Sequence, residues 1–304
     1  MTHWNKDNIG NLKDKLVIVT GGSSGIGLEA SSALASKGAE IILAVRNIDK
    51  GNRAVDRIKT ENPEARVYVM HLDLGDLSSV RDFSGQISDR FKHLDILINN
   101  AGVMIPPYRK TKDNFELQFG TNHLGHFALT LNLLPILLPT SGSRVVTLSS
   151  IASRSGHMDF NNLDGSRGYN PMTFYRQSKL ANLLFAIELQ QRLERNGAGT
   201  ISVACHPGIS ATNLISRGSG KEIGWILKQM MKLVAQPAEM GALPTLFAAT
   251  YPDLKGGEYI GPDGRRNHRG YPVVLSEVQT LFKADVAKHL WDVSEQLTGI
   301  RFTY

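Results

Sequence analysis

Residues 16–27 of the chain, LVIVTGGSSGIG, decide the fold. The first five are continuously hydrophobic and rich in β-branched side chains, as in a strand buried on both faces of a parallel sheet. The glycine-rich remainder leads into a pattern that predicts a helix over 26–37, with Gly38 as its C-cap. Glycines at such a turn let the main chain approach a pyrophosphate, and the helix N-terminus supplies free N–H groups. The segment therefore predicts a phosphate-binding β–α unit, although its G-x-x-x-G-x-G spacing departs from the G-x-G-x-x-G fingerprint.

The same alternation continues along the chain. Short apolar runs predict further strands at 41–45, 67–70, 96–98, 145–148, 201–204 and near 258–260. Helical patterns lie at 49–60, 77–90, 113–138, 175–195 (closed by Gly197), 221–234, 237–250 and 276–297. We therefore expect an α/β protein with a single-domain, doubly wound parallel sheet, the Rossmann fold, with helices on both faces. The C-terminal third is expected to cover part of the sheet's carboxyl edge, where a substrate would bind.

Composition narrows the class of protein. The chain has 304 residues, 41% of them hydrophobic and 20% charged, which is ordinary for one folded domain over 1–304. Its single cysteine, Cys205, excludes an intrachain disulfide. The polar stretch 1–15 has no apolar signal segment and no run reaches a membrane-spanning length, so we expect a cytoplasmic protein without an integral membrane segment. The net charge of +6 leaves nucleic-acid binding as an alternative, but the basic loop 265–269 carries no binding motif and we expect no nucleic-acid partner.

The end of the second predicted strand discriminates between two nucleotide cofactors. Arg46 and Asn47 follow this strand, and no Asp or Glu occupies residues 41–48. A carboxylate at this position would bind a ribose 2′-hydroxyl, as in NAD sites, whereas a guanidinium can form charge-assisted hydrogen bonds to a 2′-phosphate. The sequence therefore favours NADP(H).

Three more motifs follow predicted strands. Residues 99–102, NNAG, end the fourth strand, where small side chains would let a cofactor lie close to the backbone. Ser149 and Ser150 end the fifth strand. Tyr175 and Lys179 then lie four residues apart at the start of a long helix, so they share one of its faces. His123 and His126 lack partners with metal-ligand spacing, and we expect no metal.

In this order the motifs resemble the short-chain dehydrogenase/reductase family over about residues 14–260. The resemblance rests on the T-G-x-x-x-G-x-G loop, Asp73-Leu74, N-N-A-G, Ser150 with Y-x-x-x-K, and Pro207-Gly208 with Thr212. It implies a catalytic tetrad of Asn122, Ser150, Tyr175 and Lys179. It also implies a set of residues that contact the cofactor: Gly21, Ser23, Ser24, Gly25, Ile26, Gly27, Arg46, Asn47, Asp73, Leu74, Asn100, Ala101, Gly102, Tyr175, Lys179, Pro207, Gly208 and Thr212.

The family's chemistry explains these residue types. Hydride delivery to a carbonyl builds negative charge on oxygen, and Tyr175 is the expected proton donor. The Lys179 ammonium is expected to lower the tyrosine pKa from its usual value of about 10. The resemblance implies Ser150 rather than Ser149, because the family's serine is the second residue of this pair, and strand alternation turns only one of the two into the site. Ser150 would hydrogen-bond the substrate oxygen. Asn122 would interrupt its helix and hold a water that links Lys179 to solvent.

Longer segments point to one branch of the family. Two segments resemble the retinol dehydrogenase and protochlorophyllide reductase-like branch. One is the stretch of 24 residues between Ser150 and Tyr175, which includes Asp164 and the GYNP sequence at 168–171, and the other is the tail at 261–304. Residues 209–235 resemble a mobile lid for a hydrophobic substrate, with plain packing of an apolar helix as the equal alternative. A homo-oligomer could form through one face of the 175–195 helix. That face carries Ala181, Leu184, Phe185 and Glu188.

Three functions remain open. The first is an NADP(H)-dependent enzyme that interconverts a carbonyl and an alcohol on a small, hydrophobic molecule. The second is a catalytically silent NADP(H)-binding sensor or scaffold, against which the complete tetrad argues, because a pure binder needs no proton relay. The third is a nucleic-acid binder, which rests on the charge alone.

Overall fold

A computed structural model of the chain describes residues 3–209, 236–276 and 278–303. The predicted lid helix at 221–234 and Thr212 lie outside these residues. The strands are β1 (Leu16–Thr20), β2 (Glu40–Val45), β3 (Val67–His71), β4 (Ile96–Asn99), β5 (Arg144–Leu148), β6 (Ile201–Cys205), β7 (Tyr259–Pro262) and β8 (Pro272–Val274). They form one sheet in the order β3-β2-β1-β4-β5-β6-β7-β8.

The strand predictions are confirmed to within one or two residues. Every neighbouring pair from β3 to β7 is parallel, as predicted. The sequence missed β8, which pairs antiparallel with β7 at the edge of the sheet. It has only three residues, too few for an apolar pattern, and it begins at Pro272, whose missing N–H is tolerated at an edge.

The helices differ from their predictions at several ends. They are α1 (Gly25–Ala35), α2 (Ile48–Glu61), α3 (Leu77–Arg90), α4 (Leu117–Phe119), α5 (Gly125–Leu137), α6 (Pro171–Arg195), α7 (Ala238–Thr250), α8 (Val278–Leu281) and α9 (Ala284–Thr298). The long helix starts at Pro171 because Asn170 caps it through bonds from Met172 and Thr173. Tyr175 therefore lies in its second turn. The helix predicted over 113–138 starts too early, because Glu116 caps the helical segment, which begins at Leu117.

Both faces of the sheet are covered, which gives a three-layer α/β/α arrangement. Alternate residues of β1 point in opposite directions: Val17 and Val19 pack with α1, α2 and α7, whereas Leu16 and Ile18 pack with α3, α5 and α6. The strands are apolar on both faces for this reason. Their carboxyl ends meet at one edge, and the order of crossovers reverses between β1 and β4, where open α/β sheets bind ligands.

Helix α9 covers the outer side of α6. Trp291 stacks on Phe185 with ring centroids 5.9 Å apart and meets Phe127 of α5 at 5.1 Å. The predicted oligomer face was wrong for this reason. Ala181, Leu184, Phe185 and Glu188 are all buried within the chain itself, with Glu188 bonded to Arg192 at 2.8 Å. Among the described helices, none combines the length and the apolar character needed to cross a bilayer.

Candidate active site

A cavity of about 540 Å³ opens at the carboxyl ends of β1, β2 and β4. Nine of the residues predicted to contact a cofactor line it. These are Gly21, Ser23, Ser24, Arg46, Asn47, Asp73, Leu74, Ala101 and Gly102. Six lining residues were not predicted, namely Ala44, Val45, Lys50, Leu72, Val103 and Thr121. The sequence motifs thus located most of the cavity, and the missed residues lie one to three positions from predicted site residues.

The glycine loop forms the floor of this cavity in a way that only glycine allows. Gly21 has a φ of +65°, and a Cβ there would lie 3.0 Å from the Cα of Ala101. A Cβ on Gly27 would lie 2.5 Å from the amide nitrogen of Asn100. Gly25, Ile26 and Gly27 form the first turn of α1, so the helix N-terminus faces this loop. Close backbone approach and a helix N-terminus suit a pyrophosphate.

Basic groups lie at the β2 side of the cavity. Arg46 is exposed there, and Lys50 lines the same wall from the first turn of α2. Asn47 uses its side-chain oxygen to cap α2, accepting from the Lys50 N–H at 2.8 Å. In the loop that follows β3, the Asp73 carboxylate accepts from the Gly75 N–H at 2.9 Å. The donor set of this wall fits an anionic group on the ribose of a nucleotide.

Ser150 and Ser149 point to different places at the end of β5. The Ser149 hydroxyl is buried and donates to the main-chain carbonyl of Lys179 at 2.7 Å. The Ser150 hydroxyl accepts from the Ala152 N–H at 3.2 Å and interacts with Tyr175, whose pKa it lowers. The geometry therefore favours Ser150 as the site serine, and the two side chains point to different places, as strand alternation predicts.

Tyr175 and Lys179 are both buried on α6. Lys179 donates through Nζ to the carbonyl of Leu148 at 3.1 Å, and burial lowers its pKa to about 8. Burial raises the pKa of Tyr175, while the bond with Ser150 opposes that rise. Burial has the larger effect on the Tyr175 pKa, and the expected lowering of this pKa by Lys179 stays a prediction. Tyr175 is a neutral phenol throughout the neutral pH range.

Asn122 lies in a π-helical turn, Gly120–Leu124, between α4 and α5. This turn is the local helix interruption that the sequence predicted. The Asn122 side chain accepts from the Val103 N–H at 2.8 Å and donates to the Val103 carbonyl and the Ser178 hydroxyl, both at 3.0 Å. A Cβ placed on Gly102 would lie 3.2 Å from Oδ1 of Asn122 and 3.6 Å from Nζ of Lys179. The two groups thus meet on one side of Gly102, at the inner end of the cavity.

Pro207 and Gly208 do not line the cavity. They form the corner after β6, where the Gly208 N–H donates to Nδ1 of His206 at 3.1 Å. Gln236 donates to the Pro207 carbonyl at 2.8 Å. His206 is fully buried and holds this corner through its Nδ1. Thr212 lies outside the described residues.

Sequence reasoning missed a cluster that joins two loops beside the site. Gln118 accepts from the Ile105 N–H at 3.0 Å and donates to the Tyr169 hydroxyl at 3.2 Å and the Pro171 carbonyl at 2.9 Å. Ile105 has a φ of +52°, which is rare for a β-branched residue and is held here by the Gln118 bond. No local sequence signal marks this cluster, because its members are distant along the chain.

The described residues contain no group of three His, Cys, Asp or Glu side chains that could hold a metal ion. His123 is bonded to the Ser294 hydroxyl at 2.9 Å, and His126 to Thr20 and Asn122. Burial lowers the pKa of His123 to about 3, of His126 to about 4 and of His206 to about 3. These histidines are neutral in the folded protein.

This burial predicts acid sensitivity. The unfolded chain protonates each histidine near pH 6.5, but the folded chain does so only near pH 3 to 4. The unfolded state binds more protons in this window, so stability falls as pH drops through it, by about 1.4 kcal/mol per pH unit and histidine. Glu116 offsets the effect of one of these three histidines. Burial raises the pKa of Glu116 to about 7, so its contribution to the stability of the folded protein grows as pH falls. Urea unfolding between pH 6 and 4.5 measures how steeply the free energy of unfolding changes with pH. His123→Gln should reduce this slope by the equivalent of about one bound proton.

Comparison with known proteins places this geometry in a family. Residues 15–221 match the family model described as short chain dehydrogenase. Human retinol dehydrogenase 11 is 39% identical over 289 residues, covering 95% of this chain and 87% of that protein. Human retinol dehydrogenase 13 is 39% identical over 297 residues, covering 94% and 85%. A crystal structure of a protein from Mycobacterium paratuberculosis superposes with a TM-score of 0.81 at 40% identity and covers all of both chains. The chain belongs to the short-chain dehydrogenase family, in its retinol dehydrogenase-like branch, and is an oxidoreductase of alcohols and carbonyls that uses a nicotinamide cofactor.

Proposed function

We propose that the chain is an NADP(H)-dependent enzyme that interconverts a carbonyl and an alcohol on a small hydrophobic substrate. The observation that carries the proposal is that Asn122 and Lys179 converge on Gly102 of the cavity, together with the buried Tyr175, whose pKa the Ser150 hydroxyl lowers. A proton donor, an oxyanion-binding hydroxyl and a buried cation are thus arranged next to the nucleotide-sized cavity. These are the groups that carbonyl reduction requires.

The roles of the four residues follow from their protonation states. Bound NADPH supplies the hydride. The Ser150 hydroxyl hydrogen-bonds the substrate oxygen, and Tyr175, protonated because burial raises its pKa, gives that oxygen its proton. Lys179, charged below its pKa of about 8, stabilises the phenolate that remains. In the oxidation direction the same phenolate acts as the base.

We propose that Asn122 takes part through its main chain. Its side chain is held in place by three bonds, because both amide hydrogens are donated, to Val103 and Ser178, and the amide oxygen accepts from Val103. The main-chain carbonyl accepts from Nδ1 of His126 at 2.9 Å and lies in the π turn, where the regular helix is interrupted. We assign the relay water to this carbonyl, from where it would return a proton to Lys179.

The preference for NADP(H) rests on Arg46 and Lys50 at the cavity wall. Arg46→Asp should raise the KM for NADPH about 10- to 100-fold, because it removes a charge-assisted bond to the 2′-phosphate and adds repulsion. The KM for NADH should stay the same or fall. Arg53→Asp, an exposed charge reversal on α2, is the matched control. Equal changes for NADPH and NADH would rule out a 2′-phosphate contact by Arg46.

The names of the relatives, retinol dehydrogenases, support a long apolar alcohol or aldehyde as substrate. A panel of aldehydes and ketones that includes retinal, scored by NADPH oxidation, tests the proposal. Reduction of an apolar aldehyde with kcat/KM well above that of short polar ones is the expected result. The silent cofactor binder remains the second candidate, and NADPH binding without turnover on any member of the panel would select it.

A further inference from the structure

A chain of hydrogen bonds joins the phosphate loop to the π turn through a histidine. Nε2 of His126 lies 2.9 Å from the Thr20 hydroxyl at the end of β1, and Nδ1 lies 2.9 Å from the main-chain carbonyl of Asn122. The Thr20 hydroxyl also accepts from the N–H groups of Asn100 and Ala101, at 2.8 and 2.9 Å. His126 thus spans the floor of the cofactor cavity and the helix that carries Asn122.

The direction of each bond is fixed by its partners. The Asn122 carbonyl can only accept, so Nδ1 of His126 carries the hydrogen. Nε2 of a neutral ring is then an acceptor, and the Thr20 hydroxyl donates to it at 2.9 Å rather than to the Ile98 carbonyl, which lies farther away at 3.3 Å. This leaves the hydroxyl oxygen free to accept from the two N–H groups of the NNAG turn. Each group in this series of hydrogen bonds has its partner only when His126 is neutral and in this tautomer.

The surroundings of His126 keep it neutral. The side chain is 1% exposed, and burial, with repulsion from the Lys179 ammonium, lowers its pKa to about 4 against the effect of the Asn122 bond. The titratable groups that face it are Lys179 on α6 and His123 on its own helical segment. A charged imidazole is therefore absent at neutral pH, and the chain of bonds keeps its direction.

We propose that His126 is a positioning residue with two separable tasks: it orients the Asn122 carbonyl that serves the proton relay, and it holds, through Thr20, the NNAG turn that lines the cofactor cavity. The first task follows because the Nδ1–H of His126 occupies one lone pair of the Asn122 carbonyl and so determines where the other lone pair points. The second follows because Thr20 is the shared acceptor for the Asn100 and Ala101 N–H groups. This inference rests on the proposed NADP(H)-dependent reduction.

Two near-isosteric variants separate the tasks. In His126→Asn, the amide nitrogen occupies the place of Nδ1 and keeps the bond to Asn122, but nothing reaches Thr20. In His126→Gln, the terminal amide reaches the place of Nε2, where its oxygen accepts from Thr20, but the donor to Asn122 is lost. We expect His126→Asn to raise the KM for NADPH about tenfold with kcat nearly unchanged. We expect His126→Gln to lower kcat about tenfold and to increase its solvent deuterium isotope effect, with KM for NADPH nearly unchanged.

His123→Gln is the matched control, because His123 is buried three residues away and bonded to Ser294 outside the chain of bonds. It should lower stability without changing the isotope effect or the KM for NADPH. If the His126 variants do not fold, Thr20→Val should raise the KM for NADPH and Thr20→Ser should restore it. Equal changes of kcat and KM in both His126 variants, or a Thr20→Val protein with the parent KM, would overturn the proposal. A parent protein that reduces no carbonyl overturns the proposed function instead, so the two failures are distinguishable.

Discussion

Tyr175→Phe is expected to lower kcat for carbonyl reduction by about 10²- to 10⁴-fold while NADPH still binds. The change removes one oxygen atom, which is the proposed proton donor, and leaves the ring packed in its buried position on α6. The parent phenol is protonated at neutral pH because burial raises its pKa. Reduction by the parent should therefore be nearly independent of pH across the neutral range, and oxidation should speed up as pH rises. Stopped-flow absorbance of NADPH, with and without substrate, separates binding from hydride transfer.

Tyr169→Phe is the matched control for this experiment. Tyr169 is a second phenol in the same region, bonded to the Pro106 carbonyl at 2.9 Å and to Gln118. It orders the loops but is not a proton donor in the proposed reaction, so its loss should have a far smaller effect on kcat. Hydride transfer at the parent rate in Tyr175→Phe would exclude Tyr175 as the acid.

Trp291→Ala should destabilise the protein by about 3–5 kcal/mol. Trp291 is 2% exposed and contacts the rings of Phe127, Phe185 and Phe302. The Arg192 guanidinium lies 4.2 Å from its ring centre, which adds a cation–π contribution. Removing the indole leaves a cavity between α9 and the helices that carry Lys179 and His126. Urea unfolding measures the loss of stability.

Lys288→Ala, on the exposed side of the same helix, is the control for the Trp291 experiment and should be close to neutral. A Trp291→Ala protein as stable as the Lys288→Ala protein would mean that α9 contributes little to the fold. Since α9 covers the apolar side of α6, the Trp291 variant should also expose Phe185 and self-associate more readily.

The fold and most of the cavity could be predicted from sequence because their signals are local. Apolar runs are continuous where strands are buried on both faces, and glycines mark the turn where the backbone must come close to Ala101 and Asn100. The choice of Ser150 came from the family's motif, and strand alternation required that only one of the two serines enter the site. Asn122 and Lys179, which the motifs also indicate, converge on Gly102.

The failures came from interactions between distant segments. The α6 face was expected at an oligomer interface because its apolar side chains look unpartnered in sequence, yet α9, about a hundred residues later, covers them. The direction of the Tyr175 pKa depends on burial, its largest cause, which the Y-x-x-x-K spacing does not indicate. The roles of Gln118 and His126 depend on contacts that span 51 to 106 positions of the chain, which no local pattern can indicate.

Gln118 has a consequence for changing what the enzyme accepts. Because one amide ties Ile105, Tyr169 and Pro171 together, the two loops beside the site are a single architectural unit. Replacing residues 157–169 alone with those of a relative would remove the bond between Tyr169 and Gln118 that joins the two loops. Replacing residues 103–118 at the same time would transfer both loops with their contacts intact. Laboratory evolution of specificity should therefore recover paired substitutions in both segments and leave the strand-end residues untouched.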